Sequence, residues 1–192
     1  MSWREPKELR DSRAIRALAH PHRLTLLELI GREGSLTSAR AAALTGESTA
    51  HCSFHLRQLA KYGFVEPAEG GKGRERPWRL ATVDVRWSDE EAAPEVAAAA
   101  DELTTLLLER DLAALERYLR TRTSFAPEWR EAATATHGTV YVTAAELAEL
   151  GRELIALRER YADRLVDPSL RPPDARAARM LGLAFPSPEE PR

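Results

Sequence analysis

The chain has 192 residues, enough for one large domain or two small ones, and its 43% hydrophobic and 30% charged content excludes wholesale disorder. A single cysteine excludes an intrachain disulfide, and no apolar run has the length of a membrane span or the form of a signal peptide, so a soluble cytoplasmic protein with no membrane partner is expected. The net charge of −2 hides a division: residues 1–80 hold 14 Lys and Arg against 9 Asp and Glu (+5), residues 81–192 hold 14 against 21 (−7), which suits attraction to phosphate on one side only.

Residues 1–10 are a polar lead-in. Asp11 or Ser12 can cap a short helix carrying Ile15, Leu18 and Ala19. Pro21 starts a second helix, where its missing N–H costs nothing; Leu24, Leu27, Leu29 and Ile30 are its apolar residues, and Gly31 to Gly34 end it. Thr37 caps a third helix over 38–44, with Arg40 on its outer face. A polar turn, Thr45-Gly46-Glu47, leads to Ser48, the N-cap of a longer helix reaching Tyr62.

At about 100° per residue, that longer helix gathers Cys52, Leu56 and Leu59 on one side, with His55 and Gly63 at the margins. Its other side carries Ala50, Phe54, Arg57 and Lys61, flanked by Thr49, Ser53 and Gln58. A hairpin follows, pairing 64–69 with 74–81 around a glycine-rich basic tip that bears Lys72, Arg74 and Arg76, and Trp78 is placed to pack the hairpin onto the body. Helix, three-residue turn, helix and basic hairpin make a winged helix-turn-helix, whose second helix enters the major groove of DNA. Ser48, Thr49, Ala50, Ser53, Phe54 and Arg57, in the first turns of that helix, are the expected groove-facing residues. Lys61, Lys72, Arg74 and Arg76 are placed for phosphate or the adjacent minor groove. Phe54 has two open roles, contact with a thymine methyl or packing back onto the first helix of the motif.

The segment Ala17-Leu18-Ala19-His20-Pro21-His22-Arg23-Leu24 and the pattern from Ser53-Phe54-His55-Leu56-Arg57 through Gly63-Phe64-Val65-Glu66 together resemble the arsenical-resistance repressor (ArsR-like) family of bacterial winged-helix transcription factors. The resemblance covers roughly residues 11–82. It implies a homodimer bound to a double-stranded DNA operator, with the helices before the turn serving as support and dimer contact.

Beyond the hairpin, residues 89–120 read as one long helix, provided that it begins near Pro94. Val96, Leu103, Leu107, Leu108, Leu112, Leu115 and Leu119 form a stripe suited to a partner helix or to burial within the chain, and the family resemblance favours dimerisation. Residues 122–138 are irregular, anchored by Phe125 and Trp129. Residues 139–142 are expected as a strand, Thr143 and Glu146 as a capping box, and the helix after them has an apolar seam from Leu147 to Leu165. Residues 177–185 are expected as a last strand pairing with 139–142. The fold class is therefore mostly α with a small β component: a winged helix-turn-helix domain (1–86), a dimerisation helix (87–122) and a small α+β unit (123–192). In that last unit Trp129, Tyr141 or Tyr161 could line an apolar pocket for a small-molecule effector.

His51 and His55 stand at i, i+4, a spacing that can present two imidazoles to one ion. Cys52 and His55 face the interior, however, and the family's paired-cysteine motif is absent, so the expectation is a packed helix with no metal and no cofactor. Glycines 70–73 precede a strand and not a helix, which disqualifies them as a phosphate cradle, and no nucleophile–base pair supports catalysis. The expected function is a homodimeric transcriptional regulator, a repressor by resemblance; the competing reading is a winged-helix module that assembles with protein and does not bind DNA.

Overall fold

The computed structural model describes residues 6–70, 76–87 and 93–187. It is mostly helical with two small sheets, in the order β1 (Lys7–Leu9), α1 (Ser12–Leu18), α2 (Pro21–Glu33), α3 (Ser38–Thr45), α4 (Thr49–Lys61), β2 (Val65–Pro67), β3 (Trp78–Leu80), β4 (Val85–Trp87), α5 (Pro94–Thr121), α6 (Pro127–Ala132), α7 (Ala144–Glu159) and α8 (Asp163–Val166). The chain divides into two compact units: residues 1–107 with 162–177, and residues 108–161 with 178–192. Packing divides the chain inside α5 and returns 162–177 to the first unit.

In the first unit each helix start has a local cause. The Asp11 carboxylate accepts from the Arg13 N–H, Thr37 from Arg40 N–H, and Ser48 from His51 N–H, each satisfying a backbone donor that lacks a partner in the first turn. The His20 ring does the same for α2 through Nδ1, which accepts from His22 N–H at 3.2 Å. Gly46 closes α3 at φ 78°, a left-handed conformation that would strain a residue bearing a Cβ, and so sets the sharp turn into α4.

The core joins Ile15, Leu18, Leu26, Ile30, Leu36, Leu56, Leu59 and Phe64 to Leu103 of α5. The hairpin sits against this core. β2 and β3 pair antiparallel with Val65 opposite Leu80, and Leu36 exchanges two backbone hydrogen bonds with Trp78, at 2.8 and 2.9 Å. Trp78 is half-buried against the core, as expected of a residue that fastens the hairpin. Lys7–Leu9, within the polar lead-in, are more ordered than that polarity implied, because β1 pairs parallel with β4, Leu9 opposite Trp87, and Leu9 is buried.

Near the carboxyl-terminal end of the chain, 162–177 rejoins this unit. A Cβ on Gly31 would lie 2.6 Å from Leu165 Cδ1, so α8 approaches α2 at the one helical position without a side chain. The Arg171 guanidinium donates to the carbonyls of Gly31, Arg32 and Arg164, satisfying acceptors at the end of α2.

α5 is 28 residues long and starts at Pro94, the position at which its proline is harmless. Its stripe has two fates. Ala99, Ala100 and Leu103 are buried in the first unit, whereas Leu112, Leu115 and Leu119 are 53%, 47% and 51% exposed.

The second unit departs from the α+β expectation. Residues 133–143 and 175–187 form no strand among the described residues, and Val140 and Tyr141 are 65% and 99% exposed. Thr139-Val140-Tyr141-Val142 has the composition of a strand, but a strand needs a neighbour for its N–H and C=O groups, and 177–185 does not supply one. The capping box at Thr143 and Glu146 is formed in full, and α7 follows it. The expected seam to Leu165 stops earlier, since α7 ends at Glu159 and α8 is a separate short helix. Tyr141 and Tyr161, two of the three aromatics expected to line an effector pocket, are exposed rather than enclosed; Trp129 is half-buried on α6.

Candidate nucleic-acid interface

α4 is divided lengthwise. Cys52, His55, Leu56 and Leu59 are buried, the set its periodicity assigned to the interior. Ser48, Thr49, Ala50, Arg57 and Lys61 are exposed, Ser53 is half-exposed, and Phe54 is 48% exposed. The candidate groove-facing residues therefore share one outward strip, about three turns long. Within it Arg57 Nη1 donates to Ser53 Oγ at 2.6 Å, which holds the guanidinium along the helix surface. Phe54 meets the His55 ring edge-on at 5.1 Å and keeps half its surface open. Lys61 Nζ lies 5.5 Å from the Tyr62 ring centroid, at the end of the strip. Arg76 is exposed at the base of the hairpin; Lys72 and Arg74 lie outside the described residues.

The support behind the strip uses residues that periodicity alone did not single out. Arg23, on α2, donates through Nη1 to the Ala17 carbonyl at 2.7 Å and through Nε to His55 Nδ1 at 3.2 Å, tying α4 to the end of α1. Only a neutral imidazole can accept that second bond. Burial, followed by the charges of His20, His51, His22 and Arg23, pushes the His55 ring down to about 4, so it is neutral near pH 7. Burial first, then neighbouring charge, also lowers His20 and His22 below the ordinary imidazole range. The available signal was the closely spaced His20-Pro21-His22-Arg23 segment together with the inward-facing His55 of α4.

The four rings cluster. His20 and His55 are 4.5 Å apart, His51 and His55 4.5 Å, His22 and His51 4.8 Å, and His22 and His55 5.0 Å between centroids. Cys52 Sγ lies 3.8 Å from His22 Nε2 and 3.7 Å from Thr45 Oγ1, inside the motif and away from the strip. The i, i+4 pair His51 and His55 is thus divided, one ring exposed and the other buried in contact with Arg23.

No helix among the described residues is long and apolar enough to cross a membrane. None of the curated proteins matches the chain. Residues 18–68, which run from the end of α1 through α2, α3 and α4 to the first strand of the hairpin, match a family model described as a helix-turn-helix domain, and a domain of that kind supports a DNA-binding regulator.

Proposed function

We propose that the chain is a homodimeric, sequence-specific transcriptional regulator that places α4 in the major groove and its basic hairpin on phosphate or the adjacent minor groove. The observation that carries the reading is the lengthwise division of α4. Every candidate base-contacting residue lies on the strip that its own unit leaves uncovered, above a buried face braced by Arg23. Thr49, Ala50 and Ser53 are small enough to let the helix approach base edges, and Arg57 has the forked donor that suits guanine. Pairing through Leu112, Leu115 and Leu119 would supply the two-fold symmetry that a pseudo-palindromic operator requires. Repression follows from occupancy of such a site across a promoter, in keeping with the ArsR-like resemblance.

The test is a mobility shift of the purified protein on DNA upstream of its own gene, against a scrambled duplex at several salt concentrations. Sequence-selective binding that weakens with salt is expected. Equal and salt-insensitive behaviour on both duplexes would refute the reading and leave the helix-turn-helix as a protein-assembly module.

A further inference from the structure

The turn that opens α4 brings together donors that are far apart in sequence. His22 is the second residue of α2, Glu47 lies in the turn, and His51 is the third residue of α4. One donor atom from each lies within 4.8 Å of the other two. Ligands about 2.0–2.2 Å from one ion in tetrahedral array stand roughly 3.4 Å apart, so rotation of exposed side chains is enough to close the set. Glu47 and His51 are exposed and His22 is half-exposed, which leaves them that freedom and opens the site to an ion from solvent.

We propose that His22, Glu47 and His51 form a site for a borderline divalent transition-metal ion, of which Zn2+ is the representative, with solvent in the remaining position. Two imidazoles and one carboxylate match the nitrogen and oxygen preference of such ions; Ca2+ and Mg2+ require all-oxygen shells and are poorly served. The sequence pointed to a different and unproductive pair, His51 with His55, because helical spacing says nothing of which ring α2 contributes. His55 is committed to Arg23, whereas the Glu47 carboxylate makes no hydrogen bond or ion pair with another side chain among the described residues. His22 Nε2 also lies 3.8 Å from the Cys52 thiol sulfur.

A bound ion would fasten the first turn of α2 to the first turn of α4. It would also convert the single negative charge of Glu47 into a net positive one beside Ser48, Thr49 and Ala50. The site does not depend on the DNA-binding reading, and its test contains no DNA.

Tag-free protein, freed of metal by chelation, is titrated with Co2+, and the visible d–d absorption and the heat of binding are followed. The expected result is saturation at one Co2+ per chain, displaced by Zn2+. His51→Ala and Glu47→Gln each weaken binding at least tenfold, whereas His137→Ala, at an exposed histidine in the irregular stretch 133–143, leaves it unchanged. Glu47 and His51 are exposed, so these variants are expected to fold, and circular dichroism verifies that they do. Absence of a saturable Co2+ signal in the parent, or a loss smaller than tenfold in either variant, overturns the proposal.

Discussion

Arg57→Ala isolates the contribution of the outward strip of α4. In the free protein Arg57 is exposed and its one hydrogen bond in the strip runs to Ser53 four residues earlier, a pairing on a helix surface worth a few tenths of a kcal/mol. Its removal should therefore leave the urea midpoint almost unchanged. In the complex the same side chain would make a forked contact to a base or a contact to the neighbouring phosphate, and its loss should cost about 1–3 kcal/mol, or roughly 5- to 150-fold in Kd. Arg57→Lys separates the two cases, because it keeps the charge and loses the fork. The assay is fluorescence anisotropy at fixed salt on the operator and on a scrambled duplex. A base contact predicts a loss concentrated on the operator that lysine does not restore. A phosphate contact predicts equal loss on both duplexes, restored in large part by lysine. Equal affinity of Arg57→Ala and the parent on the operator would refute the placement of this strip in the groove.

Arg23→Ala removes two hydrogen bonds from a charged donor and strands the Ala17 carbonyl and His55 Nδ1, so a loss of about 2–3 kcal/mol in urea unfolding is expected; a change within experimental error would show that the brace is idle. His55 makes stability depend on pH. Its folded value, about 4, lies below the ordinary 6.5, so the unfolded chain binds more protons between these values. The contribution is fully present above about pH 6.5 and is lost as pH falls toward 4, on the order of 2–3 kcal/mol in all. With chelator present, the fall in urea midpoint from pH 7.5 to pH 5 should be shallower in His55→Gln; parallel curves would contradict the assignment. Leu115→Glu places a charge in the exposed stripe of α5 and should convert a dimer to a folded monomer in sedimentation analysis, whereas a parent that is itself monomeric, or a variant that stays dimeric, would remove the stripe from the interface.

The parts of this fold that could be read from residues are those whose cause is local. Asp11, Thr37, Ser48 and Thr143 cap the helices they precede, and the spacing of Cys52, Leu56 and Leu59 separates the buried face of α4 from Arg57 and Lys61. What eluded the reading depends on contacts between distant segments. Thr139-Val140-Tyr141-Val142 has strand-like side chains and no neighbouring strand, while Lys7–Leu9 looks like a loose polar lead-in and finds one in Val85–Trp87. The stripe of α5 is continuous in sequence, and only packing shows that Leu103 is buried where Leu112 is open. In the candidate interface the outward residues were legible, but the Arg23 brace and the approach of His22 to His51 arise from the crossing of α2 and α4 and leave no periodic trace.

Arg171 gives the molecule a property that a linear map of domains conceals. Its guanidinium reaches the carbonyls of Gly31 and Arg32 from about 140 positions downstream, and Leu165 fills the dent left by Gly31. The helix-turn-helix unit is consequently discontinuous along the chain, with residues 108–161 of the other unit lying between its two pieces in sequence. A single protease cut after α5 cannot release it intact: the amino-terminal fragment would keep α4 but leave acceptors bare at the end of α2. Shortened versions of this protein should therefore lose solubility well before they lose any residue of the outward strip of α4.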